Sequence, residues 1–180
     1  MRIALVTETF PPEVNGVAMT LGRMADGLRR RGHRVQLVRP RQRGIETPPG
    51  NSSCDELLVD GLPIPRYPGL RFGLPAGRAL LTAWRSARPD IVHVATEGPL
   101  GWSALAAADR LGIPVSSGYH TNFQAYSRHY GIGWLHGAIN RYLRHFHNRT
   151  QATLVPSRDL AQRLTRDGYN NLVLIARGVD

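Results

Sequence analysis

The chain has 180 residues, a formal net charge of +10, and 23 basic residues that are all arginine. Without lysine, this segment cannot form a Walker P-loop, a Schiff base or a Ser-Lys dyad. The single cysteine, Cys54, excludes an intrachain disulfide and a multi-cysteine zinc site and suits a reducing compartment.

Ile3 to Val6 is a continuous apolar run, as expected for a strand covered on both faces of a parallel sheet. A loop marked by Pro11, Pro12 and Gly16 leads to Val17 to Leu28, which has helical periodicity. Asn15 and Gly16 stand where that helix begins. Its first N–H groups therefore point back over the end of the strand, and such corners bind phosphates. Gly32 ends the helix, and Arg34 to Arg39 is a second strand. Pro40 to Pro75 is less regular. It holds a loop at Pro48 to Ser53 and an extended stretch, Leu57 to Ile64, in which Asp60-Gly61 predicts a hairpin turn. Pro63 and Pro65 confine the second part of that stretch to an edge or a connection.

From Leu74 the pattern alternates regularly between helix and strand. A helix reaches about Ala87, the strand Asp90 to Val94 follows, and Leu100 to Leu111 is an alanine-rich helix. Pro114 to Ser117 is a strand, and Tyr119-His-Thr-Asn-Phe123 leaves its carboxyl end. Helices are expected over Asn122 to His129 and Trp134 to Asn148, and a strand over Ala152 to Val155. Ser157 caps a helix from Arg158 to Arg166, and Leu172 to Ile175 is a last strand. No internal repeat is present.

Six or so strands separated by helices predict an α/β fold, a Rossmann-like doubly wound parallel sheet with helices on both faces. A chain of this length makes about one domain, burying roughly 70% of its unfolded surface. Ligands of such sheets bind beyond the carboxyl ends of the strands. The loops there are 7–16, 95–99 and 119–122, which puts Glu8, Asn15, Gly16, Glu97, His120 and Thr121 at one crevice.

Four segments, in order, carry a resemblance: Thr7-Glu-Thr-Phe-Pro-Pro-Glu-Val-Asn-Gly-Val17, Pro89-Asp-Ile-Val-His-Val-Ala-Thr-Glu-Gly-Pro-Leu-Gly101, Gly118-Tyr-His-Thr-Asn-Phe123 and Arg177-Gly-Val-Asp180. Together they resemble the GT-B glycosyltransferases of family 4, and among those the GDP-mannose-dependent mannosyltransferases, with glycolipid-forming enzymes as near relatives. The resemblance implies that residues 1–176 are an N-terminal, acceptor-side domain. Residues 177–180 would begin the linker to a second domain that holds most of the nucleotide-sugar contacts, so this segment would be inactive alone. It also implies a retaining, metal-independent transfer from a nucleotide-sugar donor to a lipid or glycan hydroxyl, with no cofactor.

Such a reaction needs stabilised charge on the leaving phosphates and a closely held acceptor, and no enzymic nucleophile. Gly16 suits the first demand, because a bare backbone can approach a phosphate oxygen; its plainer reading is a glycine turn. His120 resembles the family histidine near the transferred sugar, with a loop hydrogen bond as its plainer reading. Asn15, Glu97 and Thr121 are substrate-binding candidates. Glu97 could equally cap the helix at Leu100, and Glu8 could equally be structural.

The remaining features are weaker signals. His145 and His147 lie on different faces of a helix, and His129 and His136 lack a carboxylate at ligand spacing, which argues against zinc. Ser103 falls short of a nucleophile elbow because Leu105 replaces its second glycine. Leu135, Ile139, Tyr142, Leu143 and Phe146 form one face of a basic helix that could pack on the sheet or dock on an anionic membrane. Arg29-Arg-Arg31 could add to a membrane face or complement a helix dipole. The net charge reads equally as codon bias or as selection for an acidic partner. The apolar stretch after Arg2 ends at Thr7, too short for a secretory signal, and no apolar run reaches membrane-spanning length. A cytoplasmic location, peripheral on the inner face of the cell membrane, is therefore expected. A dinucleotide oxidoreductase is disfavoured by the missing Gly-x-Gly-x-x-Gly, and a nucleic-acid-binding module by the scatter of the arginines.

Overall fold

Four apolar residues, Ile3 to Val6, are buried at the start of the chain, and the first part of the fold is built around them. The computed structural model describes residues 1–41, 55–63, 71–120 and 136–175. Two compact units are present, with a boundary between Val115 and Ser116.

In chain order the first unit contains β1 (Arg2–Val6), α1 (Gly16–Arg30), β2 (Arg34–Pro40), β3 (Asp55–Val59), β4 (Gly61–Pro63), β5 (Arg71–Gly73), α2 (Gly77–Ser86), β6 (Ile91–Val94) and α3 (Pro99–Leu111). The second contains β7 (Val115–Gly118), α4 (His136–His147), β8 (Ala152–Val155), α5 (Arg158–Arg166) and β9 (Leu172–Leu174). In the first unit β1, β2, β3 and β6 form a sheet, in the second β7, β8 and β9 do, and the strand pairings within each are parallel. The α/β, doubly wound architecture expected from the alternation of elements is the one observed.

Within the first unit the strand order is β3-β2-β1-β6. Side chains alternate across β1 and β2, which places helices on both faces. Leu5, Val35 and Leu37 join Leu21 and Ala25 of α1 in one core cluster, with Phe10, Val17, Met24 and Leu28 packed against it. Gln36, of opposite parity, accepts a 3.0 Å hydrogen bond from the indole Nε1 of the fully buried Trp84 on α2. A strand with apolar residues at both parities thus nucleates two layers at once.

The hairpin expected at Asp60-Gly61 does not form. β3 pairs parallel with β2, and β4 leaves to pair antiparallel with β5 in a separate two-stranded sheet. Gly61 is crowded in this pairing, since a Cβ there would lie 2.7 Å from the Phe72 carbonyl oxygen and 2.8 Å from Pro40 Cβ. Glycine serves there for close approach rather than for a two-residue turn. Pro63 lies in this small sheet, as its missing N–H requires.

In the second unit β8 lies between β7 and β9. Leu143 of α4, Val155, Leu164 of α5 and Tyr169 form its core, with Ile139, Leu160, Ala161 and Leu172 packed against them. Ser157 caps α5 through a 3.3 Å bond from the Leu160 N–H, as expected. The apolar face of α4 packs inward, with two corrections. Tyr142 is 44% exposed rather than part of the stripe, and His147 is fully buried. His147 follows Leu143 by one helical turn and so shares its face.

Candidate functional site

The corner beyond β1 is held by a chain of short polar contacts. Thr7 is buried, and its Oγ1 donates to the Thr9 carbonyl at 2.7 Å. Thr9 Oγ1 donates to Glu13 and accepts from Asn15 Nδ2, the latter at 2.6 Å. Asn15 is the N-cap of α1, its Oδ1 accepting from the Ala18 N–H at 2.9 Å. This arrangement satisfies one orphan donor of the helix and locks the loop at its end. Pro11 lies across α1 at Gly22, where an added Cβ would come within 2.9 Å of Pro11 Cγ. The loop is thus fastened to the helix it introduces.

Gly16 is the first residue of α1, and a Cβ added there would meet nothing within 4 Å. Neither crowding nor a positive φ calls for glycine at this position. The first turn of α1 carries no acidic side chain, while Arg29 and Arg30 stand in its last turn. The N-terminal end therefore has no acidic side chain in its own first turn and opens to space over Gly16, a geometry that can admit an anion. At the other end Arg31 donates to the Gly27 carbonyl at 3.3 Å, and Arg29 pairs with Asp26 at 3.1 Å, so part of this arginine run closes the helix.

Glu8 and Glu97 are brought together in the first unit. The Glu8 N–H donates to Thr96 Oγ1 at 3.1 Å, which links the exits of β1 and β6. The Glu8 carboxyl folds over Gly98, where a Cβ would lie 2.1 Å from Oε1. Burial pushes this carboxyl from its ordinary value of 4.5 up to about 7, a backbone hydrogen bond from Gly73 opposes the rise, and the nearby Glu97 adds to it. Glu8 Oε1 has no hydrogen-bond partner among the described residues. Glu97 does not cap the following helix: the N-cap of α3 is Gly98, with Pro99 at the first helical position.

In the second unit, His120 follows β7 and its ring lies back over Gly118, where a Cβ would be 2.3 Å from Nε2. At the preceding strand position, Ser117 Oγ is 2.8 Å from His147 Nδ1 and 3.1 Å from the hydroxyls of both Thr150 and Thr153. This pairing resembles a nucleophile and its base, but both side chains are fully buried. It fastens α4 to β7 and β8. The Tyr119 ring lies 5.2 Å from that of His147 in a tilted geometry, so the residue before His120 is also held by this cluster.

Of the residues picked from the sequence, Asn15 and Gly16 share the α1 terminus, Glu97 stands beside Glu8, and His120 stands at the β7 exit. Thr121, like Cys54 and the terminal Arg177-Gly-Val-Asp180, lies outside the described residues. Three glycines were missed: Gly98 and Gly73 beneath Glu8, and Gly118 beneath His120. Gly98 had a signal, because Gly-Pro at a helix start places a side-chain-free residue at the N-cap. Ser103 is an ordinary helix residue that ties α3 to α2, accepting from the Ala76 N–H at 3.2 Å and donating to the Pro99 carbonyl at 2.9 Å. Among the described residues no group of three His, Cys, Asp or Glu side chains could hold a metal ion, and no helix is long and apolar enough to cross a membrane.

A doubly wound parallel sheet with an open glycine terminus beyond its first strand defines the class: a Rossmann-like domain. The particular family follows from similarity, since residues 14–180 match the model of Glycosyltransferase Family 4. The chain belongs to that family. It is 36% identical over 188 residues to a GDP-mannose-dependent alpha-mannosyltransferase of Mycobacterium tuberculosis (strain CDC 1551 / Oshkosh), covering 100% of this chain and 48% of that protein. It is 28% identical over 135 residues to an alpha-monoglucosyldiacylglycerol synthase of Streptococcus pneumoniae (strain ATCC BAA-255 / R6), covering 75% of this chain and 30% of that one. Among solved structures, sucrose-phosphate synthase from Thermosynechococcus elongatus superposes with a TM-score of 0.70 at 13% identity, over 99% of this chain and 48% of that one. The fold is that of the N-terminal half of a GT-B glycosyltransferase, and the chain spans about half the length of the curated mannosyltransferases it matches. Family membership favours the transferase reading over the oxidoreductase and nucleic-acid alternatives.

Proposed function

We propose that the protein is a retaining mannosyltransferase in which residues 1–176 form the acceptor-side half and residues 177–180 lead into a donor-binding half. It moves mannose from GDP-mannose to a hydroxyl of a lipid or glycan acceptor. The observation that carries this reading is the open space over Gly16 at the N-terminus of α1, in a chain of family 4. A relative that is GDP-mannose-dependent supports the donor, and one named for a diacylglycerol product supports a lipid acceptor.

The N–H groups of Gly16 and Val17 take part of the charge that develops on the leaving diphosphate, while basic groups of the second half take the rest. No metal ion or cofactor is needed, because the leaving charge is met by these donors. His120 donates to a hydroxyl of the transferred sugar or orients the acceptor. Glu97 and Thr121 accept from acceptor hydroxyls, and Asn15 fixes the angle of the α1 terminus. Holding the acceptor oxygen close to the anomeric carbon supplies most of the remaining rate.

The enzyme works in the cytoplasm, peripheral on the inner face of the cell membrane, where the exposed Arg141, Arg144 and Arg149 contribute about 1 kcal/mol each near anionic headgroups. Calorimetric titration of the full-length protein against GDP-mannose, UDP-glucose, NADH and a random oligonucleotide tests the donor. GDP-mannose alone is expected to bind, and Gly16→Val to weaken it by about tenfold or more. Binding of NADH or the oligonucleotide instead, or an unchanged affinity in Gly16→Val, would overturn the reading. Salt-sensitive sedimentation with phosphatidylglycerol vesicles tests the membrane contact, and no sedimentation at low salt removes it.

A further inference from the structure

The carboxyl of Glu8 occupies a space that three elements of the first unit leave for it. From the turn before α3, Gly98 offers no side chain, and a Cβ there would lie 2.1, 2.6 and 2.7 Å from Oε1, Cδ and Oε2. From β5, Gly73 gives a backbone hydrogen bond to the carboxyl. Gly73 is itself pressed on α3, where its Cβ would meet Leu100 Cβ at 2.7 Å, so β5 is held down onto the helix. From its own strand exit, the Glu8 N–H holds Thr96. One side chain therefore joins the loop that leads to Gly16, the small sheet and the start of α3.

The join is not equally good in both protonation states. Glu8 Oε1 is shielded from solvent and has no hydrogen-bond partner among the described residues, and the charged group facing it is Glu97. β5 presents the Gly73 backbone and the turn presents Gly98, neither of which carries charge. A neutral carboxyl is tolerated in such surroundings, whereas an ionised one bears desolvation and the repulsion of Glu97 together, which outweigh the stronger hydrogen bond it would accept from Gly73.

We propose that Glu8 is a proton-dependent positioning residue: in its neutral form it packs over Gly98 and ties the loop 7–16 to the 95–98 turn, and ionisation, with the repulsion of Glu97, drives the carboxyl off that turn and loosens the α1 terminus. The strain falls on the loop because Thr9, Glu13 and Asn15 couple its whole length to the helix cap. The shift of this group into the neutral range sets the window in which the release occurs. The consequence for catalysis rests on the proposed function above; the release itself does not.

Hydrogen exchange of the full-length protein between pH 6 and pH 8.5, corrected for the intrinsic rate, reads the release directly. Peptides covering 7–16 and 95–100 are expected to lose about tenfold in protection across that window. Glu8→Gln, which keeps the shape and cannot ionise, is expected to abolish the loss. Glu97→Gln, which removes the facing charge, is expected to move it to higher or lower pH in one direction only: lower, as the Glu8 carboxyl ionises more readily. The same loss in Glu8→Gln as in the parent, or no loss in the parent, overturns the proposal. In transfer assays the parent is expected to decline in kcat/KM above pH 7 while Glu8→Gln holds its plateau. If exchange behaves as stated but no nucleotide sugar is consumed, the transferase reading fails and the release stands. If transfer occurs with identical pH profiles and exchange is pH-independent, the release fails and the transferase reading stands.

Discussion

His147 in the second unit and Glu8 in the first differ in how fully their hydrogen-bonding capacity is met. His147 is fully buried against hydroxyls, its Nδ1 2.8 Å from Ser117, with Thr150 and Thr153 completing the cluster. Glu8 keeps one shielded oxygen without a partner and faces another carboxylate. A satisfied buried network specifies one arrangement of helix and strands. An incompletely satisfied carboxyl instead leaves a proton equilibrium near neutral pH inside the fold. The first kind of group fastens α4 to β7 and β8, and the second stands beside the loop that leads to α1.

The comparison breaks most sharply at His147. His147→Ala leaves a cavity and strands the Ser117, Thr150 and Thr153 hydroxyls, and is expected to cost about 3 kcal/mol in urea unfolding. A loss under about 1 kcal/mol would show that the cluster does not hold α4. Next comes the titration of Glu8. Its folded carboxyl keeps its proton to about pH 7 while the unfolded one ionises near 4.5, so the folded state binds more protons between those values. The stability Glu8 contributes is therefore complete below pH 4.5 and lost as pH rises through 7, at most about 3 kcal/mol. Melting temperatures measured at steps across this range should show a slope that Glu8→Gln removes.

Gly98→Ala is expected to cost about 2 kcal/mol, because the buried Glu8 carboxyl must move to admit the methyl group. Asn15→Ala removes the α1 cap and should cost about 1 kcal/mol by thermal unfolding. The smallest effect on stability is expected for Gly118→Ala, under about 1 kcal/mol, since the half-buried His120 ring can swing aside. Its signature is a change in the His120 imidazole resonances by NMR, and unchanged resonances would mean that the ring does not rest on Gly118.

Much of the fold was legible because the strands are short apolar runs and the helices carry caps. β8 and α5 lie at the residues expected, and β1, β2, β6, β7 and β9 differ by a residue or so at an end. The stretch after β2 was harder to read. Asp60-Gly61 carries the composition of a hairpin turn, yet β3 joins the main sheet because Val38 and Pro40 of β2 are there to pair with Leu57 and Val59. Local sequence does not encode which edge a strand will find. Of the site, Asn15 and Gly16 were visible through helix-start chemistry, whereas the dependence of Glu8 on Gly73 and Gly98 joins residues more than 60 apart.

The sequence by itself determined the alternation of strand and helix, the glycine at the start of α1, the impossibility of lysine chemistry and the family, because those rest on local periodicity and residue identity. Only the tertiary structure decided that His147 is core rather than surface and that the Glu8 carboxyl is pushed up to about 7. Burial and the company of distant backbone groups set both outcomes, and no neighbouring residue along the chain carries that information.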